Sequence, residues 1–184
     1  EDIFNECKYD PGGYLIVNGN EKVLITQEKV VPNIIHLYPS PNNNTKYKYI
    51  SEVKSSSPEA FGVVKTCSIK ITNKPLLNNC KLYIKFPRIK KDLPISVVFR
   101  ALGCLTDKEI LYYVIDNDDS EIDNIIVKIF HNSLIENENV YTELDAIKYI
   151  SNHVNLTNNS FSEDIKLDYT KNIIKKDLLP HLHT

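Results

Sequence analysis

Apolar and polar residues alternate through Cys67-Ser68-Ile69-Lys70-Ile71-Thr72 and again through Leu82-Tyr83-Ile84-Lys85-Phe86. A period of two marks half-buried strands. Tyr47–Val53, Gly62–Thr72 and Lys81–Phe86 are therefore predicted strands of a small, mostly antiparallel sheet, separated by the stretches 55–58 and 73–79. Upstream, Tyr14-Leu15-Ile16-Val17 and Lys22-Val23-Leu24-Ile25-Thr26 flank Asn18-Gly19-Asn20, a hairpin signal because Gly19 tolerates positive φ. Asp10-Pro11-Gly12-Gly13 is a turn cluster ahead of it. Gly12, Gly13 and Gly19 thus serve backbone conformation and are not ligands. Ile34-Ile35-His36-Leu37-Tyr38 reads as a further strand, and Pro39-Ser40-Pro41 breaks it with a loop or a boundary.

After Pro87 the period lengthens to that of helices. Pro94 suits the first turn of a helix over Ile95–Leu102, which Gly103 is placed to end. Thr106-Asp107-Lys108-Glu109 is a capping box ahead of Ile110, Leu111 and Val114, and Ser120-Glu121-Ile122-Asp123 is a weaker one ahead of Ile125, Ile126 and Ile129. Thr142–Asn152 carries Leu144, Ile147, Tyr149 and Ile150 with acidic residues in its first turn. A last helix over Ser162–Leu179 puts Ile165, Tyr169, Ile173 and Leu178 near one face and stops at Pro180. Strands first and helices afterwards give an α+β fold, a small antiparallel β-rich N-terminal half followed by a helical C-terminal half.

The 184 residues, 42% hydrophobic and 25% charged, are those of an ordinary globular chain. No apolar run approaches the roughly 20 residues that span a bilayer, and Glu1-Asp2 opens no signal peptide. A net charge of −2 excludes a global basic field and so argues against an autonomous DNA-binding domain, though not against one wall of a larger cleft. Cys7, Cys67, Cys80 and Cys104 form no Cys-x-x-Cys motif, so free thiols in an intracellular protein are expected. Asn43-Asn44-Thr45, Asn155-Leu156-Thr157 and Asn158-Asn159-Ser160 match the glycosylation pattern by chance on that reading. Arginine occurs only at 88 and 100, which weakens any argument from bidentate phosphate grips.

The chain holds no Walker loop, no Gly-x-Ser-x-Gly and no His-Glu-x-x-His. Gly12-Gly13 precedes a strand, so it lacks the helix N-terminus that binds phosphate. His181 and His183 belong to an exposed chain end, and Asp116, Asp118, Asp119, Glu121 and Asp123 lack the glycine and spacing of a calcium loop. Lys81, Lys85, Arg88, Lys90 and Lys91, interleaved with Tyr83 and Phe86, form the one basic stretch. Two compatible readings stay open for it: contact with nucleic-acid phosphates, or a strand whose lysine side faces water while Leu82, Ile84 and Phe86 face the core. Arg100, inside an apolar helix, is expected to be a buried structural hydrogen-bonder.

Residues 5–27, NECKYDPGGYLIVNGNEKVLITQ, resemble the Gly-Gly hairpin motif at the end of the protrusion domain in the second-largest subunit of eukaryotic-type DNA-directed RNA polymerases. Residues 90–103, KKDLPISVVFRALG, resemble the signature segment of the neighbouring lobe domain. Ser51-Glu52-Val53-Lys54-Ser55 is similar to an early lobe strand, and Lys176-Asp177-Leu178-Leu179-Pro180-His181 to a late helix end. The form Asp10-Pro11-Gly12-Gly13 with Glu21–Ile25 is nearer the polymerase II type than types I or III, while Lys8 and Leu15 depart from the pattern. An AT-rich protist and a large DNA virus both fit as sources.

The resemblance implies an end of a protrusion-like domain over 1–38 and a lobe-like domain, truncated at its C-terminus, over 39–184. It implies a non-catalytic segment of a nucleotidyltransferase, forming part of the wall of the cleft that holds DNA and the RNA–DNA hybrid. Partners are then the other polymerase subunits, above all the largest, which would bind the catalytic magnesium; the segment itself needs no cofactor. Localisation is nuclear, or in a virus factory or virion. On the resemblance, Lys22 would bring charge to a phosphate and Gln27 a neutral hydrogen bond to nucleic acid, and a solvated hairpin edge is the competing reading. Lys85, Arg88, Lys90 and Lys91 complete the nucleic-acid-facing candidates. Two other classes remain: a free-standing module that docks on polymerase or a transcription factor, and an unrelated small enzyme.

Overall fold

A computed structural model describes residues 7, 9–40, 46–57, 63–76, 79–115, 121–135, 139–155 and 162–182. Gly62, Asp116, Asp118, Asp119, Ser120, His183 and the glycosylation motifs, in whole or in part, lie outside them. The chain divides into two compact units, Glu1–Val30 and Val31–Thr184.

In the first unit the Asp10 carboxylate accepts hydrogen bonds from the Gly12 N–H (2.9 Å) and the Tyr14 hydroxyl (2.5 Å). That turn needs Gly12 and Gly13 at φ +67° and +80°, where a Cβ would be strained. β1 (Leu15–Val17) and β2 (Asn20–Lys22) then pair antiparallel. Val17 faces Asn20, so the loop is Asn18-Gly19 alone, with φ of 53° and 78° as a type I′ turn requires. The second strand is shorter than expected and ends at Lys22. Val23, Leu24 and Ile25 are exposed, with no described strand beside them to continue the ladder.

The larger unit is built on a five-stranded antiparallel sheet of β3 (Ile35–Pro39), β4 (Tyr47–Ser55), β5 (Lys65–Thr72), β6 (Leu82–Lys85) and β7 (Leu93–Pro94), in that order. β3 pairs along β4 from Ile35–Val53 to Pro39–Tyr49, so residues 35–38, grouped with the hairpin in the sequence reading, are built into this sheet. The register places Val53, Cys67, Ile69 and Ile84 on one face. Helices cover that face, the arrangement that the alternation in the sequence calls for.

The helices are α1 (Ile95–Ala101), α2 (Asp107–Val114), α3 (Glu121–Ile135), α4 (Glu143–Ser151) and α5 (Glu163–Asp177). None is long and apolar enough, among the described residues, to cross a membrane. The Thr106 hydroxyl accepts from the Glu109 N–H while the Glu109 carboxylate accepts from the Thr106 N–H, the expected capping box. α1 buries nearly its whole surface, with Ser96 and Val97 at 0% exposure. Gly103, at φ +100°, ends it.

The core has one large cluster, in which Phe86, Leu93, Val97 and Val98 meet Ile147, Ile150 and Ile173. A smaller one gathers Ile95, Ile110, Phe130 and Leu134. Two side chains assigned to apolar faces are instead exposed, Leu144 and Ile165. At 3.6 residues per turn the buried stripes of α4 and α5 are centred on Ala146-Ile147-Ile150 and Thr170-Ile173-Ile174-Asp177, and both residues lie off them. Buried serine also holds the layers together: the Ser133 hydroxyl accepts from the Leu82 N–H (2.9 Å) and donates to the Ile129 carbonyl, and the Ser96 hydroxyl donates to the Ser133 carbonyl.

The end of α5 is tied to the sheet. Asp177, 4% exposed, bridges Lys65 (3.2 Å) and Arg88 (3.1 Å). His181 donates its backbone N–H to the Ser55 hydroxyl, and its ring nitrogen lies 2.7 Å from the same oxygen. Asp177→Ala is expected to destabilise the protein by about 2 kcal/mol, because two cations lose their buried counter-charge, with partial rehydration of the half-exposed Arg88 limiting the loss. Thr106→Ala is expected to cost about 1 kcal/mol through the lost cap. Urea denaturation monitored by circular dichroism measures both.

Candidate nucleic-acid interface

The other face of the sheet is polar because its strand register alternates away from the core. Ile50, Lys70 and Tyr83 lie side by side across β4, β5 and β6, and Glu52, Ser68 and Lys85 form the next row. A bulge between Tyr47 and Tyr49 swings Tyr47 into the group.

Asp92 is the hub. Its carboxylate accepts from the Lys70 ammonium (2.8 Å) and the Tyr47 hydroxyl (2.6 Å). The Tyr47 and Tyr83 rings meet edge to face at 6.2 Å. The Lys46 ammonium caps both, 5.3 Å from the Tyr47 centroid and 5.0 Å from that of Tyr83, and Lys70 lies 5.2 Å from the Tyr47 ring. Cation–π contacts of this kind stabilise by about 0.5–1 kcal/mol at exposed sites. Burial alone would raise the Asp92 pKa, but hydrogen bonds from Lys70 and Tyr47, with the charges of Lys70 and Lys85, outweigh it and hold the carboxyl below its ordinary value of 3.8. Asp92 is therefore an anion at neutral pH, neutralising Lys70.

Lys46 and Lys85 remain exposed at the edge of the cluster, Lys46 against both tyrosine rings. Such a surface offers cations to a polyanion's phosphates and aromatic edges to its sugars or bases. Toward β3 the face changes character, since the Tyr38 hydroxyl donates to the Glu52 carboxylate there. That bond, rather than general acidity, pushes the Tyr38 pKa up.

The sequence-derived candidates separate. Lys85 joins the cluster. Arg88 does not: it turns at φ +67°, and its guanidinium is held by Asp177 and donates to the Tyr169 hydroxyl (3.3 Å). Lys90 and Lys91 are exposed, and the Lys90 N–H is fixed by the His153 carbonyl at 2.8 Å. In the other unit Lys22 is the last residue of β2, whereas Gln27 lies past it, exposed and outside any strand. Gln27 was expected on the hairpin's second strand, but the ladder with β1 ends at the pair Leu15–Lys22, and among the described residues no other strand pairs with β2. Lys46, Tyr47 and Lys70 escaped the sequence reading, since they come from strands remote from the basic stretch 81–91. Their only sequence signal was alternation, which assigned Lys70 to the solvent face.

The family model described as RNA polymerase Rpb2, domain 2 matches residues 34–184. The chain is 30% identical over 180 residues to the DNA-directed RNA polymerase II subunit RPB2 of Encephalitozoon cuniculi, covering 97% of this chain and 15% of that protein. It is 32% identical over 187 residues to the subunit of the same name from Schizosaccharomyces pombe, covering 98% of this chain and 14% of that protein. An archaeal relative, DNA-directed RNA polymerase subunit Rpo2N of Methanothermobacter thermautotrophicus, is 30% identical over 189 residues, covering 95% of this chain and 34% of that protein. The chain thus spans only a small part of the relatives' length.

The lowered pKa of Asp92 fixes the sign of a pH effect. Its ionised form favours the folded state, so the stabilisation is complete above the ordinary carboxylate range and is lost as pH falls through the lowered value. Asp92→Asn is expected to destabilise by about 1–2 kcal/mol at pH 7. The gap to the unaltered protein should close below the carboxylate range, as denaturation series at neutral and acid pH would measure.

Proposed function

The chain belongs to the RNA polymerase Rpb2 domain 2 family, and we propose that it forms part of the wall of the DNA- and RNA-binding cleft of a multisubunit, DNA-directed RNA polymerase. The observation that carries this reading is the cluster of Lys46, Lys70, Lys85, Tyr47 and Tyr83 on the open face of the sheet. It is a phosphate- and ring-binding surface in a chain whose net charge of −2 does not suit it to bind nucleic acid alone. The segment acts by electrostatics and shape, and carries no catalytic group. The magnesium ion of nucleotidyl transfer is bound by the largest subunit, which is also its main partner. The hairpin unit ends a protrusion-like domain, and the five-stranded sheet with its helices, within the matched residues 34–184, forms the lobe-like domain. Lys22, Gln27, Lys90 and Lys91 are further nucleic-acid-facing positions, and Arg88 acts through its ion pair. The assembly works in the nucleus, or in a virus factory or virion if the source is viral.

The reading frame is expected to continue past Thr184 into further polymerase domains. A stop codon there, with a start codon just before Glu1, would instead indicate the free-standing docking module. With template, nucleotides and magnesium the chain alone is expected to make no RNA, and measurable synthesis would refute the non-catalytic assignment.

Binding of DNA oligonucleotides should be weak and strongly salt-dependent by fluorescence anisotropy. Replacing Lys46 and Lys85 by Gln should lower the slope of log K against log salt by about one per phosphate contact removed. Tight binding insensitive to salt, or a slope unchanged in the double variant, would remove this face from the interface.

A further inference from the structure

Three lysines share the polar face of the sheet, and one of them is held differently from the other two. Lys46 and Lys85 are exposed, and neither has an ion-pair partner among the described residues. Lys70 belongs to the same cluster, yet its ammonium lies 2.8 Å from a carboxylate oxygen of Asp92. Both side chains of that pair are largely withdrawn from water, Lys70 at 16% exposure and Asp92 at 20%. The second carboxylate oxygen accepts from the Tyr47 hydroxyl at 2.6 Å, so the anion cannot turn away from Lys70 without breaking a further hydrogen bond. Opposite charges this close act at a distance as a dipole, which attracts a phosphate far less than a free cation does. A free lysine that neutralises a phosphate steepens the salt dependence of binding by about 0.9, and a lysine already neutralised adds little.

We propose that Asp92 limits the affinity of this face for nucleic acid: it withholds Lys70 from the phosphates and leaves Lys46 and Lys85 to make the contact. The inference rests on the cleft-wall reading and adds to it how tightly the wall holds. A strand that must move past a wall is served by few, readily exchanged phosphate contacts, and a third free lysine would tighten the hold. This role differs from one in which Asp92 only orients the cluster. Orientation predicts a loss of binding when the carboxylate is neutralised, whereas withholding predicts a gain. Asparagine tells the two apart, because it keeps the shape of the side chain and its carbonyl still accepts from Lys70 while the lysine's charge is released.

The test titrates the 184-residue chain against a short fluorescein-labelled DNA duplex over a salt series, with the folding of each variant checked by circular dichroism. Asp92→Asn should tighten binding on the order of fivefold at about 0.1 M salt and steepen the slope of log K against log salt by about 0.9. Adding Lys70→Gln to that variant should remove the gain. Binding by Asp92→Asn that is unchanged or weaker, or a gain that survives the loss of Lys70, would overturn the proposal. The unaltered chain supplies a second measurement that no folding defect can confound, acetic anhydride labelling of lysines read by mass spectrometry. Bound duplex should protect Lys46 and Lys85, while Lys70 reacts slowly with or without DNA. Protection of Lys70 to the same degree as Lys46 would count against Asp92 as decisively. Absence of salt-dependent binding by the unaltered chain would bring down the cleft-wall reading and this inference together, an outcome distinct from binding that is present and unmoved by Asp92→Asn.

Discussion

Arg100 sits on the helix with the least access to water, and its guanidinium must be satisfied there. It donates to the Val140 carbonyl at 2.5 Å and to the Asp107 carboxylate at 2.8 Å. Those bonds fix the entry to α2 and the segment before α4 from one side chain. Removing the acceptors would leave a buried charge unpaired, which costs far more than an unmade surface contact. The helices therefore assemble around α1, and the rest of the larger unit follows from its placement. Val97 and Val98 set the large core, Ile95 the small one, and Pro94 pairs with Tyr83 to join the helix to the sheet.

Once α1 covers one face, the other face of the same strands is free to be polar. A side-chain period of two makes this inevitable: each apolar residue on β5 and β6 is followed by one pointing the opposite way. Ile69 and Ile84 oppose one another across the core side, while Lys70 and Tyr83 oppose one another outside. The functional surface is in this sense a by-product of core formation, refined by the bulge before Tyr49 and by Asp92, which arrives from the loop ahead of β7. Asp92 keeps Lys70 ordered while Lys46 and Lys85 stay exposed.

The segments that carried the family resemblance are mostly architectural. Asp92 through Gly103 is the residue ahead of β7, the whole of β7, and α1 with its end. The segment Lys176–His181 supplies Asp177, which holds Lys65 and Arg88, and His181, which caps Ser55. Arg88 shows the consequence for reading sites. In the sequence it belonged to a run of free cations, but in the fold its charge is committed to a buried aspartate 89 positions away.

The sequence by itself determined the order and type of most elements, because alternation, capping boxes and turn glycines are local signals with local causes; the two-residue β7 had no such signal, and Pro94, expected in the first turn of α1, pairs in that strand instead. Thr106 capping Glu109, Gly12 and Gly13 at positive φ, Gly103 ending α1 and the buried Arg100 were all legible there. Only the tertiary structure decided which residues meet across long separations. It brought Lys46, Lys70 and Asp92 together, withdrew Arg88 from the surface set, ended β2 at Lys22, and turned Leu144 and Ile165 to solvent. Each outcome depends on what packs against an element, and the spacing of residues within a single element carries no information about its neighbours.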